Sequence, residues 1–326
     1  MSTRRTDDEA RETLFDLLHL GRPVYTVDEI VQKSGLDPEL GRRMWRAMGF
    51  AEPPPDEVAF FESDLETMTA VKTLKDQGIA DDELLVAMTR VFGQSLARVA
   101  DAQVAAARER IARDADDVSP RDAALVIAPE AIPALEQSLV HVWRRHLAAA
   151  VERAGMFDDA SDEVELTVGF ADLVGYTRLS RQLDDPELRD LVERLANRSQ
   201  DLISGLGGRV IKTIGDGVMF VVDDPRRAAE MALQLVDAVA EDDELPEMRV
   251  GLAFGGVVSH RGDYYGQTVN LASRAVGVAR PGAILVADEL KNELEDDDRF
   301  TLKAITRRRL KGIGLVRLWV LRRAGD

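Results

Sequence analysis

Two periodicities divide the chain. Up to about residue 155, apolar positions recur at three- and four-residue spacing within Ala-, Leu-, Arg- and Glu-rich sequence, which predicts an almost wholly helical region. Thr26 with Glu29 three positions on forms a capping box, and Asp37 followed by Pro38 is an N-cap with a first-turn proline. Pro53-Pro54-Pro55 breaks the chain. Helices are expected at about 60–77, 81–91 and 96–113. The acidic run 114–117 and Pro120 then interrupt, and a last helix covers about 132–153, with Leu135, Leu139, Val142, Trp143, Leu147 and Val151 along one stripe. The polar stretch 156–162 reads as a linker. It separates an all-helical region, 1–155, from a second region, 163–326, to which the helix at about 132–154 connects it.

Beyond the linker, strand-like and helix-like segments alternate. Strands are expected at 164–170, 210–214, 218–222, 248–254, 283–286, 300–305 and 316–321, and helices through 179 and at 188–203, 226–239 and 268–279. Gly207-Gly208 stops a helix, and Gly215-Asp216-Gly217 marks a tight hairpin between two apolar strands. The order predicts an α+β fold built on a ferredoxin-like βαββαβ unit, with helices on one face of a mostly antiparallel sheet.

Composition narrows the function. The chain has 326 residues, no cysteine and a formal net charge of −17. Thiolate metal sites and thiol catalysis are therefore excluded. No apolar run is long enough for a membrane span and the N-terminus carries no secretory signal, so a cytoplasmic protein is expected. The acidity is shared by both halves and argues against general nucleic-acid binding. A nucleotide would have to be met by a few placed cations and a divalent metal.

Four segments carry candidate chemistry. In FADLVGYTRLS (170–180) an apolar strand ends at Asp172, and a glycine turn then opens a helix whose first N–H groups, at Gly175, Tyr176 and Thr177, would cradle a phosphate. A carboxylate beside such a cradle calls for a cation between them, and Mg²⁺ fits; taken alone, Asp172 reads better as an N-cap at a strand–helix turn. In IKTIGDG (211–217) Asp216 sits at a hairpin tip beside Lys212, which is out of place in an apolar strand. Asp216 can approach Asp172 at the sheet end to hold two cations, while Lys212 either snorkels to solvent or reads a base edge. In DYYGQTVNLASR (263–274) Asn270 and Arg274 share one helical face and suit a sugar and a developing phosphorane charge. In LKGIG (310–314) Lys311 lies in a glycine-bounded loop within reach of terminal phosphates.

In this order the four motifs resemble the class III nucleotidyl cyclase catalytic domain, over about 163–326, and the whole chain is similar to soluble actinobacterial adenylyl cyclases. The resemblance implies conversion of ATP to 3′,5′-cyclic AMP and pyrophosphate. It implies two Mg²⁺ or Mn²⁺ on Asp172 and Asp216, and a purine-selecting pair, Lys212 with Asp263, suited to adenine. Asn270 would orient the ribose, Arg274 would stabilise the pentavalent phosphate, and Lys311 would hold the β- and γ-phosphates. It further implies a head-to-tail homodimer with shared sites. Tyr176 stands where many members have Phe, and the segment after Gly256 is short, as in the bacterial subgroup with a shortened dimerisation arm.

The N-terminal helices resemble the autoinhibitory regulatory domain of the acid-activated members. His141 and His146, beside Arg144 and Arg145, are the candidate pH-responsive groups; solvated surface histidines are the alternative. Three other readings remain: a guanylyl cyclase, an inactive cyclase-like nucleotide receptor, and a helix-turn-helix DNA-binding regulator using Arg42, Arg43 and Arg46.

Overall fold

The computed structural model describes residues 13–113, 120–153 and 164–325. The linker expected at 156–162 and the acidic interruption at 114–117 lie outside them. Contacts divide the chain into two compact units, Met1–Ala160 and Ser161–Asp326. Among the described residues no helix is long and apolar enough to cross a membrane.

In the first unit, the capping box places Thr26 ahead of α1 (Val27–Ser34), and the Asp37 carboxylate accepts from Leu40 N at the start of α2 (Pro38–Met48). α3 covers Glu62–Asp76, and α4 runs unbroken over Asp82–Arg113. That corrects the expectation of two helices divided near Gly93. Gly93 continues the helix because α2 presses on it: a Cβ there would lie 2.5 Å from the backbone of Met48. Ile30, Leu36, Leu40, Phe60, Leu85 and Val86 are the buried core of this helical packing. The last helix, α5 (Pro120–Arg153), starts about twelve residues earlier than periodicity suggested and carries Pro129 and Pro133 within it. Its stripe of Leu135, Leu139, Val142, Trp143 and Leu147 is exposed.

The second unit is built on an eight-stranded sheet. Its main path runs β2 (Arg209–Ile214), β3 (Gly217–Val222), β1 (Val164–Leu173), β4 (Met248–His260), β6 (Ile284–Ala287), β10 (Leu318–Arg323) and β7 (Phe300–Ala304). Every pairing on this path is antiparallel except β4 with β6. The β2-β3-β1-β4 block is the βαββαβ unit, its helices being α6 (Tyr176–Leu179) with α7 (Asp185–Gly205), and α8 (Pro225–Ala240). β4 is six residues longer than expected. It turns at Arg261-Gly262 into β5 (Asp263–Tyr265), which pairs back on it. A helix α10 (Asp288–Leu294) and a separate hairpin of β8 (Arg308–Leu310) and β9 (Gly314–Val316) were not expected.

Alternation along the strands sends buried residues to two faces, and both are covered. Ala171, Leu173, Val218, Phe220, Val222, Val250 and Leu252 pack under α7, α8 and α10, with Met231, Leu235 and Leu290 among the helix residues. Leu166, Val168, Met219, Val221 and Ala253 pack under α9 (Gln267–Val278), which offers the small residues Ala272 and Ala275. The expectation of helices on one face is therefore corrected. α9 lies on the opposite face, close enough that a Cβ at Gly251 would meet Val276 N at 2.3 Å and Ala272 O at 2.5 Å.

Candidate active site

Three strands meet at an acidic corner. Asp172, at the end of β1, stands in register with Gly217 of β3 on one side and Arg249 of β4 on the other. Asp216 occupies the two-residue β2–β3 turn after Gly215, whose φ of +61° suits glycine. The Asp172 Oδ2 accepts a forked pair from Arg249, from Nε at 3.0 Å and from Nη2. Burial pushes the Asp216 carboxyl above its ordinary pKa and the Asp172 charge adds to the rise, partly offset by a backbone hydrogen bond and by the Arg249 charge.

Two hard oxygen donors in each other's field fit a divalent cation. Asp172 Oδ1 makes no hydrogen bond among the described residues, and Gly217 leaves the carboxylate room: a Cβ there would reach to 3.6 Å from Oδ1. Among the described residues no group of three or more His, Cys, Asp or Glu side chains forms a metal site. Two carboxylates with room beside them are a donor set that a divalent cation sharing its coordination with phosphate oxygens can use. Arg249 was not singled out by sequence reasoning. Its signal is the one that flagged Lys212: a cation inside an apolar strand.

Lys212 and Asp263 are joined. The Lys212 Nζ donates to Asp263 Oδ2, and Tyr264 N donates to Asp263 Oδ1 at 2.8 Å. Burial works against the Asp263 charge, but the Lys212 bond, the Tyr264 N–H and the Lys212 charge outweigh it and hold the carboxyl below its usual pKa. The pair is partly exposed, with side-chain accessibilities of 39% and 25%, so a ligand can reach it. Lys212 is opposite Met219 and Asp172 lies along β1 from Phe170, so both belong to the sheet face that α9 covers.

Asn270 and Arg274 project from the exposed side of α9, the side away from Ala272, Ala275 and Val276. The helix start is fixed by Thr268, whose hydroxyl donates to Gly256 O at 2.9 Å. Gly175, with φ +78°, opens α6, and no side chain caps the N–H groups that follow. With a single turn the helix has little dipole, so any phosphate would be held by those N–H groups themselves. Lys311 is exposed in the turn joining β8 and β9 and forms no ion pair among the described residues. His141 and His146 are exposed on α5. The arginines of the helix-turn-helix reading are engaged within their own unit: Arg42 with Glu39, Arg43 with Glu83, and Arg46 with Glu39 and Glu52. That removes much of the positive field a DNA backbone would need.

Comparison with known proteins follows the same division. Residues 159–323 match the adenylate and guanylate cyclase catalytic domain, and residues 18–150 match the adenylate cyclase regulatory domain. An adenylate cyclase of Streptomyces coelicolor is 36% identical over 328 residues, covering 92% of this chain and 86% of its own. One from Streptomyces griseus is 33% identical over 362 residues, covering 98% and 90%. A pH-sensitive adenylate cyclase of Mycobacterium tuberculosis is 37% identical over 339 residues, covering 98% and 85%.

Proposed function

The chain belongs to the family of adenylate and guanylate cyclase catalytic domains, here preceded by an adenylate cyclase regulatory domain, and from that premise we propose that it cyclises ATP to 3′,5′-cyclic AMP and pyrophosphate. The observation that carries the choice of ATP is the Lys212–Asp263 pair. An ammonium donates to adenine N1 and a carboxylate accepts from the N6 amine. Guanine presents a donor at N1 and an acceptor at O6, which would leave both protein groups mismatched.

Asp172 and Asp216 are the residues that would hold the cations, and we place two in each site. A divalent ion so bound supplies Lewis-acid polarisation of the ribose hydroxyl and of the phosphate oxygens. Asn270 orients the ribose so that its 3′-oxygen lies in line with the α-phosphorus. As the new O–P bond forms, the hydroxyl proton passes to a metal-bound carboxylate or to water, the bond to the bridging oxygen breaks, and Arg274 meets the charge on the equatorial oxygens. Lys311 and the N–H groups after Gly175 hold the β- and γ-phosphates that leave as pyrophosphate. Arg249, forked onto Asp172, keeps that carboxylate oriented.

Two copies associate head to tail, one supplying Asp172 and Asp216 and its partner Lys212, Asp263, Asn270, Arg274 and Lys311. The N-terminal unit restrains this reaction. His141 and His146, exposed on α5 beside Arg144 and Arg145, are the residues we assign to its response to pH. The test is cyclic nucleotide formation by the purified protein from ATP or GTP with Mn²⁺, from about pH 5.5 to 8. Cyclic AMP in excess of cyclic GMP supports the assignment, and no product from either nucleotide overturns it. An unchanged profile when both histidines are replaced by glutamine removes the sensor.

A further inference from the structure

On a regular strand, residues three apart face opposite sides. Arg209 and Lys212 are three apart on β2, yet both engage β5. The register explains this: Arg209 is opposite Val221, Val210 opposite Phe220, and Lys212 opposite Met219, leaving Ile211 as the extra residue of a bulge. Val221 and Met219 both lie in the core under α9, so the bulge brings Arg209 and Lys212 to that same face.

The guanidinium of Arg209 then joins two residues beyond its own strand. Its Nη1 donates to the Tyr264 hydroxyl at 2.9 Å, its Nη2 donates to Asp223 Oδ1 at 3.3 Å, and its carbon stands 5.8 Å from the centre of the Tyr264 ring. Tyr264 is the residue whose N–H holds Asp263 Oδ1, while Lys212 holds Oδ2. A connected path therefore runs from Asp223 through Arg209 and Tyr264 to the carboxylate that faces the base.

We propose that Arg209 is a positioning residue for purine selection, acting through Tyr264 on Asp263, and that the β2 bulge exists to place it beside Lys212. The proposal rests on the reading of Lys212 and Asp263 as the purine-selecting pair. Without the Arg209 bond, β5 keeps its pairing with β4 and the Lys212 bond but loses the side-chain tie that refines the aim of Asp263 at the N6 amine, and discrimination against GTP falls while the phosphate-handling groups stay in place.

The experiment measures kcat and KM for ATP and for GTP on the full-length chain with Arg209→Gln, Arg209→Lys, Tyr264→Phe and the Arg209→Gln/Tyr264→Phe double variant, after thermal melts show that each is folded. Arg209→Gln is expected to lower the ratio of kcat/KM for ATP over GTP by about tenfold, the size of one charge-assisted hydrogen bond, through KM for ATP with kcat near the parent's. Tyr264→Phe keeps the ring and should give a similar loss, the double variant no more than either, and Arg209→Lys a partial recovery. A ratio unchanged in both single variants overturns the proposal, as does an equal fall in kcat for both nucleotides with the ratio kept. Tyr264→Phe removes only a hydroxyl, so it decides the matter if Arg209→Gln does not fold. A parent that uses ATP and GTP alike overturns the purine pair itself, whereas a selective parent with selective variants overturns Arg209 alone.

Discussion

The contact of α9 with β4 sets up the sharpest prediction. At Gly251 an added Cβ would meet only backbone, Val276 N at 2.3 Å and Ala272 O at 2.5 Å, so no side-chain rotation can relieve it. Gly251→Ala must therefore push α9 off the sheet by roughly 1 Å to restore ordinary contact distances. Overpacking of this kind costs about 1–3 kcal/mol, and each kcal/mol lowers the melting midpoint by roughly 2–4 °C in a domain of this size. Asn270 and Arg274 ride on the displaced helix, so kcat for cyclic AMP formation should drop about a hundredfold, out of proportion to the lost stability. Thermal melts and initial rates at saturating ATP with Mn²⁺ measure the two effects separately. Gly277→Ala is the control on the same helix: a Cβ there meets nothing within 4 Å. It should keep kcat and gain roughly 0.5–1 kcal/mol from a stiffer unfolded chain. Parental kcat and melting in Gly251→Ala would refute the idea that this close approach sets the geometry of the site.

Three further outcomes are expected. Asp172→Ala and Asn270→Ala chains, each inactive alone, should recover about a quarter of the parent's sites when unfolded, mixed equally and refolded, since half the dimers are mixed and each carries one intact site; no recovery in verified mixed dimers would exclude a shared site. Asp216 has a raised pKa in the fold, so the folded state binds its proton more tightly than the unfolded chain, and the advantage fades as pH rises through the raised value. Asp216→Asn should therefore melt above the parent near pH 7 in chelator, converge with it at low pH, and lose the stabilisation that added Mg²⁺ gives the parent. Lys212→Met removes a bond and a charge that hold Asp263 low, leaving burial opposed only by the hydrogen bonds from Tyr264 and Tyr265, so its carboxyl should rise; the ATP preference should fall, which rates with both nucleotides across pH will show.

Local chemistry was easiest to read from sequence. Caps at Thr26 and Asp37, the Gly215-Asp216 turn and the apolar runs of β1 and β3 are set by neighbours a few positions away. Asp172 and Asp216 come together because a strand end and a hairpin tip share one row of the sheet. What periodicity hides is which neighbour a face meets. It shows that α9 has a small apolar side without saying which sheet face receives it. Gly251 facing Ala272 and Ala275 was a legible sign of close approach, but only once the pairing was known. The gap expected between 91 and 96 is absent for the same reason, since Gly93 there admits Met48 without ending the helix. The bulge at Ile211 breaks the two-residue alternation, so sequence alone does not show that Arg209 and Lys212 share one side of the sheet.

That bulge also lies on β2, the outermost strand of its side of the sheet. A straight, apolar border strand offers a row of open amides and carbonyls on which a stray chain can zip. The extra residue at Ile211 interrupts that row midway and increases the local twist. The kink that sets Lys212 beside Asp263 therefore also guards the sheet's flank against fibril-like growth, so straightening β2 by deleting Ile211 should cost colloidal solubility as well as nucleotide choice.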